Sequence, residues 1–244
     1  MNLKKLRIAF LKFKIKYLRH FIKPYDFTEL LLMQGVDVGI NTIFYGPHTQ
    51  VIDIERPWLL HIGDYCKITR GVIILAHDYS RSVLRRVYGE VIGEAGETVI
   101  GDNVFIGVNS IILMGSKIGN NVIVGAGSVI SGTIPDNVVV AGNPARVIRN
   151  LNEHYSIRKR ETVGEAKIMA QAFYKKYQRL PEISEMGPFW QLFMERNLDT
   201  VKNEKVFTKL NGDCEEEMLS AFLNSTPQYS SFKEFLESCG LTKN

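Results

Sequence analysis

The sequence predicts a mainly β chain: a triangular solenoid of short parallel strands, with a helix at its N-terminal end and a helical appendage at the other. Three observations lead there. An aliphatic residue returns every sixth position at Ile100, Ile106, Ile112, Ile118, Val124 and Ile130, and glycine follows it at positions 101, 107, 119 and 125. Four positions after each aliphatic comes a small or β-branched residue: Val104, Ser110, Ser116, Val122, Ser128 and Ile134. The same grammar begins upstream at Ile62-Gly63, Ile68 and Ile74, with Cys66 and Val72 in the fourth place. Side chains alternate across a strand, so each aliphatic and its small partner can both point into a narrow interior. Three hexads then close a coil of about 18 residues, and each coil covers its neighbour's apolar edge. The glycines and the pairs Asp102-Asn103 and Asn120-Asn121 suit the positive φ that tight corners need.

Residues 1–35 form the first region, a basic amphipathic helical segment. Leu3, Leu6, Phe10, Phe13 and Tyr17 fall on one helical stripe, with Ile8, Leu11, Ile15, Leu18 and Ile22 beside it. Lys5, Lys12, Lys16, Arg19 and Lys23 gather opposite, and no acid precedes Asp26. Two roles are open for residues 1–24: peripheral contact with an anionic membrane, or packing over the unpaired strand edge at the solenoid's end. Lysines and arginines interrupt the apolar residues too often for a signal peptide, and no stretch reaches the roughly 20 apolar residues of a membrane span. The expected location is the cytoplasm, with the inner membrane face as a second possibility. A net charge of +4 with 45% hydrophobic residues suits a soluble protein and calls for no nucleic-acid partner. Three scattered cysteines, Cys66, Cys214 and Cys239, argue for a reducing compartment and against a disulfide framework or a zinc site.

Residues 36–149 carry the repeat, which breaks once. Ile74 to Ile100 is not a whole number of hexads, so residues 80–98 must leave the solenoid. This excursion, SRSVLRRVYGEVIGEAGE from Ser80 on, is polar, with three arginines and three glutamates. Binding groups tend to sit on such loops, although a tolerated surface insertion would read the same. His77 stands at its mouth, third after Ile74, where the grammar points side chains outward. Asp78 occupies the fourth, normally inward, place. An unpaired buried carboxylate is costly, so Asp78 is expected to turn out with the loop.

The tandem [LIV]-G-x-x-[STAV]-x resembles the hexapeptide-repeat acyltransferases over roughly Val36 to Ile148. That resemblance implies a left-handed parallel β-helix, a homotrimer with sites between adjacent solenoids, and acyl transfer from acetyl-CoA with a histidine base. HDYS before the excursion and the GNPAR closure are most similar to the sugar and polysaccharide O-acetyltransferases of the galactoside and maltose acetyltransferase type. The expected function is acetylation of a sugar hydroxyl in capsular or lipopolysaccharide synthesis. Two alternatives stay open: N-acetylation of an amino sugar or xenobiotic, and a non-catalytic scaffold.

By this resemblance His77 is the general base. An imidazole's ordinary pKa of about 6.5 suits it to taking a hydroxyl proton near neutral pH. Its second ring nitrogen needs an acceptor, for which Asp78 and a backbone carbonyl are both open. No cysteine or serine accompanies it as a nucleophile, so direct transfer is expected. The stretch Phe105-Ile106-Gly107-Val108 matches the family's oxyanion segment, where Val108 offers only its backbone N–H. Asn109, third in its hexad like His77, is either a site residue or a corner residue. The closing coil places Ala126 and Ser131 along the pantetheine path and Arg146 and Arg149 at the nucleotide phosphates. A lysine common in the family beside Ser131 is Gly132 here. No histidine lies between positions 78 and 153, so no metal site is expected.

Residues 150–244 form the appendage. Helical periods run from Glu161 to Leu180, around Phe189 to Arg196, from Cys214 to Leu223 and from Phe232 to Cys239, punctuated by Pro181, Pro188 and Pro227.

Overall fold

Short strands, many only two residues long, wind through three sheets in the computed structural model, which describes residues 3–18, 21–204 and 214–241. The first sheet stacks β1 (Asp37–Val38), β4 (Leu60–Ile62), β7 (Thr98–Ile100), β10 (Lys117–Ile118) and β13 (Thr133–Ile134). The second stacks β2 (Ile43–Phe44), β5 (Lys67–Ile68), β8 (Phe105–Ile106), β11 (Ile123–Val124) and β14 (Val138–Gly142). The third holds β3 (Val51–Ile52), β6 (Ile73–Ile74), β9 (Ile111–Ile112) and β12 (Val129–Ile130). From β1 to β14 consecutive strands occupy different sheets, and β1 to β11 each pair in parallel with the strand three further along the chain. A three-sided coil requires that arrangement, and these sheets are consistent with the left-handed parallel β-helix. An antiparallel hairpin from β14 to β15 (Ala145–Asn150), with a cis peptide at Asn143-Pro144, ends the stack.

Register keeps like over like. Ile62, Ile100, Ile118 and Ile134 form one interior column, and Ile74, Ile112 and Ile130 another. All are buried, and full burial of such a side chain contributes about 1.5–3 kcal/mol. The small column is buried as well, and its hydroxyls find partners inside. Ser110 Oγ donates to Gly125 O at 3.0 Å, and Ser116 Oγ to Leu113 O at 2.6 Å.

The positive φ expected of the corners is found at the asparagines and at Gly71, Gly115 and Gly127, and the expectation is corrected only for the glycines that directly follow each aliphatic. Positive φ falls on the third position of each corner, at Asn103, Asn109 and Asn121 among others, and not on the repeat glycines. Those glycines are required by close stacking: a Cβ on Gly107 would lie 2.5 Å from the Ala126 nitrogen one coil on. The preceding corners are laced by side chains. Asp64 N donates to Asp102, Asp102 N to Asn120 and Asn120 N to Asp136, each at 2.8 Å.

The excursion displaces no hexad. β6 is followed by β7 just as β9 is by β10, but the step from Ile74 to Ile100 is 26 residues where Ile112 to Ile118 is 6. Thr98, buried, takes the inward place that a plain hexad would have given Asp78, and its hydroxyl donates to Leu75 O at 2.7 Å. Inside the loop is a helix the sequence reading did not identify, Arg81–Tyr88. The loop is also less polar than expected, because Val83, Val87, Tyr88 and Val91 stand exposed.

Two helices precede the solenoid, α1 (Leu3–Tyr17) and α2 (Pro24–Gln34), and the helix over Arg81–Tyr88 is α3. The second of these was not anticipated. Pro24 opens α2 and Gly35, at φ 99°, closes it with its N–H turned back to Leu31 and Leu32 carbonyls. The amphipathic segment thus divides: Leu11 is fully buried and Ile15 packs on the solenoid core, while Leu3, Leu6, Phe10, Phe13 and Tyr17 stay exposed. Arg7 pairs with Glu29 at 2.7 Å and Lys14 with Asp26 at 2.6 Å, tying α1 to α2. Arg19 of the expected basic face lies outside the described residues.

The chain divides into two compact units, residues 1–154 and 155–244. The second holds most of α4 (Leu151–Tyr177), then a 3-10 segment over Ile183–Leu192, α5 (Leu198–Glu204), α6 (Glu215–Leu223) and α7 (Phe232–Ser238). α4 starts ten residues before the expected Glu161, and the helix expected around Phe189 is 3-10 and broken at Gly187, whose φ is 54°. Its core gathers Phe193, Phe222, Phe235, Met186, Ala166 and Ala170.

Candidate active site

The third corner of the solenoid, where the third sheet hands the chain back to the first, carries the densest chemistry. After β3 the chain does not turn at once but makes a loop, residues 53–59, and one coil later β6 gives way to His77 and the excursion. Asp53 and His77 therefore meet across neighbouring coils. His77 Nδ1 donates to Asp53 Oδ2 in a short contact. The same carboxylate accepts from Ala76 N at 3.0 Å and from Glu55 N at 3.1 Å. Its side chain is only 3% exposed. Burial pushes its pKa up, but the Glu55 amide, His77 and the Ala76 amide outweigh that and hold it below the usual carboxylate range. A buried, ionised carboxylate with its other lone pairs already engaged fixes the ring and its tautomer.

The ring's other nitrogen looks outward. His77 is 20% exposed, and Nε2 lies 3.2 Å from Glu55 Oε2, a carboxylate that is itself 74% exposed. Glu55 is thus tethered by its backbone to Asp53 while its side chain is free to turn into solvent. Two contacts frame the corner. Arg56 Nη1 donates to Glu94 O at 2.7 Å, stapling the returning arm of the excursion to the loop. Arg81 donates to Asp78 O and lies 5.1 Å over the Tyr79 ring.

Asp78 turns out with the loop, as expected. It caps Ser80, accepting from its N–H at 2.8 Å and its hydroxyl at 2.7 Å, and these bonds lower its pKa. Neither of the acceptors open for His77, Asp78 or a backbone carbonyl, is the one found. Sequence reasoning missed Asp53 and Glu55 because their partner is one coil away. The signal was present: Asp53 directly follows the column residue Ile52, where Leu75, Leu113 and Ser131 follow theirs.

The remaining candidates spread over the surface. Ser131 is exposed on the same corner as His77, two coils on. Val108, Asn109 and Ala126 are exposed on the corner between the second and third sheets, so one chain does not bring Asn109 to His77. Asn109 has φ 59°, a left-handed conformation that favours asparagine, and donates its N–H to Arg70 O at 3.0 Å. Phe105 projects from β8 and lines a cavity of about 250 Å³ with Tyr65, Lys67, Asn121 and Leu151. Arg146 and Arg149 lie on β15 opposite Ala141 and Val139. A bulge between those pairings puts two arginines three residues apart on one side of the hairpin, outward of the buried Val140. Among the described residues no cluster of three or more His, Cys, Asp or Glu could hold a metal.

Comparison with known proteins agrees with the repeat. Residues 97–132 match the model described as bacterial transferase hexapeptide (six repeats). The chain is 42% identical over 142 residues to Protein CapG of Staphylococcus aureus, covering 58% of this chain and 76% of that one. It is 36% identical over 140 residues to galactoside O-acetyltransferase of Escherichia coli K12, covering 52% and 69%. A galactoside acetyltransferase solved in complex with coenzyme A superposes with a TM-score of 0.45 at 26% identity, over 62% of this chain and 82% of the other. The chain belongs to the hexapeptide-repeat transferase family.

Proposed function

We propose that this protein is an acetyl-CoA-dependent O-acetyltransferase that modifies a sugar hydroxyl by direct transfer, with His77 as general base. The observation that carries the reading is the Asp53–His77 pair, a buried acceptor behind an imidazole whose far nitrogen faces solvent. The 36% identity to a galactoside O-acetyltransferase supports O-acetyl transfer and a sugar acceptor.

The chemistry follows from that pair. Asp53 holds Nδ1–H, leaving the Nε2 lone pair to accept. An acceptor hydroxyl takes the place of the exposed Glu55 carboxylate at Nε2, and its proton passes to the ring as its oxygen bonds to the thioester carbon. Asp53 stabilises the imidazolium so formed. The tetrahedral intermediate collapses, the carbon–sulfur bond breaks, and the proton on Nε2 goes to the departing thiolate. The ring ends as it began, and acetyl ester and free thiol are the products. The solenoid's one cysteine does not compete as nucleophile: Cys66 is buried in its core, and burial raises its thiol pKa.

The donor's phosphates are assigned to Arg146 and Arg149, and its pantetheine arm to the exposed edge at Ala126 and Ser131. The Val108 N–H is assigned to the oxyanion. Because His77 and Asn109 stand on different corners of one chain, a site that uses both is completed between chains, as in a homotrimer. Capsular or lipopolysaccharide synthesis in the cytoplasm is the proposed setting.

A panel of glycans incubated with the protein and acetyl-CoA, read by mass spectrometry, tests the activity. A gain of one acetyl group, removed by mild alkali as an ester is, supports the proposal. An alkali-stable amide on amino sugars alone, or no transfer to any acceptor, contradicts it.

A further inference from the structure

The exposed stripe on α1 has no role in the chemistry above. Leu3, Leu6, Phe10, Phe13 and Tyr17 recur at intervals of three and four, so they share one line along the helix, about 21 Å long. Phe10 is 51% exposed, Phe13 52% and Tyr17 61%. The helix cannot turn this line inward. Buried Leu11 and half-buried Ile8 and Ile15 occupy the face set about 120–180° away, and Arg7 and Lys14 are committed to Glu29 and Asp26 of α2. Exposed Lys5, Lys12 and Lys16 run down the free flank, about 100–140° from the stripe.

Three and four is also the spacing by which helices pack on one another, so a second copy is the competing occupant. The flanks speak against it. Arg7 and Lys14 are neutralised by Glu29 and Asp26, but Lys5, Lys12 and Lys16 stand exposed along the other flank, and no acid occurs before Asp26. Two copies meeting along this line would bring like charges together. What the surface complements is a broad apolar layer under diffuse negative charge. Aromatic and leucine side chains below, with lysines long enough to reach up to headgroups, suit that interface.

We infer that α1 lays the protein on an anionic membrane surface, with the Leu3–Tyr17 stripe inserted among the acyl chains and its lysines among the phosphates. The inference does not rest on the proposed reaction, and its readout is not activity. The full chain is floated with vesicles of phosphatidylcholine containing about 30% phosphatidylglycerol, and with phosphatidylcholine alone. It rises with the anionic vesicles, stays behind with the neutral ones, and is released by salt at about 0.5 M. F10S/F13S alters only exposed side chains, so it keeps the wild-type melting curve and lowers the vesicle-bound fraction by about tenfold or more. Three results overturn the inference: no flotation with anionic vesicles, equal flotation of the variant, or a variant whose molar mass in solution falls below wild type. The last would make the stripe a contact between copies.

Discussion

Asp53 does two things that can be measured apart. As the group that orients His77 it supports turnover, and as a buried carboxylate with three donors it supports the fold. Asp53→Asn keeps the volume and loses the charge. Turnover should fall by about tenfold or more, short of the loss on removing the imidazole, with the KM for acetyl-CoA unchanged. Unchanged turnover would remove Asp53 from the mechanism. The acid stability has a definite sign. Its folded pKa lies below its unfolded one, so between the two the unfolded chain binds the extra proton. The stabilisation is full above the ordinary carboxylate range and is lost as pH falls through the folded value. In denaturant titrations below about pH 4 the variant should therefore lose stability less steeply than wild type. His77 was legible in the sequence because it stands where the repeat stops. Asp53 was not, because a coil's return distance varies: β3 to β6 spans 22 residues and β8 to β11 only 18, so no fixed period points from one to the other.

At the scale of the element, the hexad is legible because burial, alternation and stacking all impose the same period. What it does not announce is which constraint each glycine answers. Gly107 has an ordinary φ and no room, because the Ala126 backbone is in the way. Gly107→Ala should cost about 1–3 kcal/mol through coil separation, seen as a melting temperature lower by several degrees. An unchanged melting temperature would mean the coils are not held that closely. The closing hairpin offers the complementary case. Its bulge puts Arg146 and Arg149 on one side, which alternation from sequence would have placed on opposite sides. Arg146→Ala should weaken CoA binding by about tenfold, read by calorimetry, and a dissociation constant equal to wild type would reject the phosphate assignment. Helix α3 is short and buries none of its residues, and its three arginines mark the segment as a polar excursion although Val83, Leu84, Val87 and Tyr88 share one helical face.

For the molecule as a whole, the solenoid is a rigid prism whose interior is repetitive and whose function gathers where repetition fails. The 53–59 loop and the excursion interrupt the same corner in successive coils, and Asp53, Glu55 and His77 are set between them. The second unit, residues 155–244, has its own aromatic core, centred on Phe193 and Phe235, and supplies none of these groups. Its helices were legible by period where they are long or capped, as at Ser231, whose hydroxyl accepts from Glu234 N. The 3-10 stretch was not, since Gly187 and Pro188 interrupt the pattern that a helix would show.

All of the proposed chemistry passes through one ring nitrogen. Initial rates of thiol release from acetyl-CoA, measured with the best acceptor from the glycan panel for wild type and His77→Ala side by side with CoA affinity, test that most directly. The imidazole account predicts a turnover about 10²–10⁴-fold lower at unaltered CoA affinity. Wild-type turnover in the variant would contradict it.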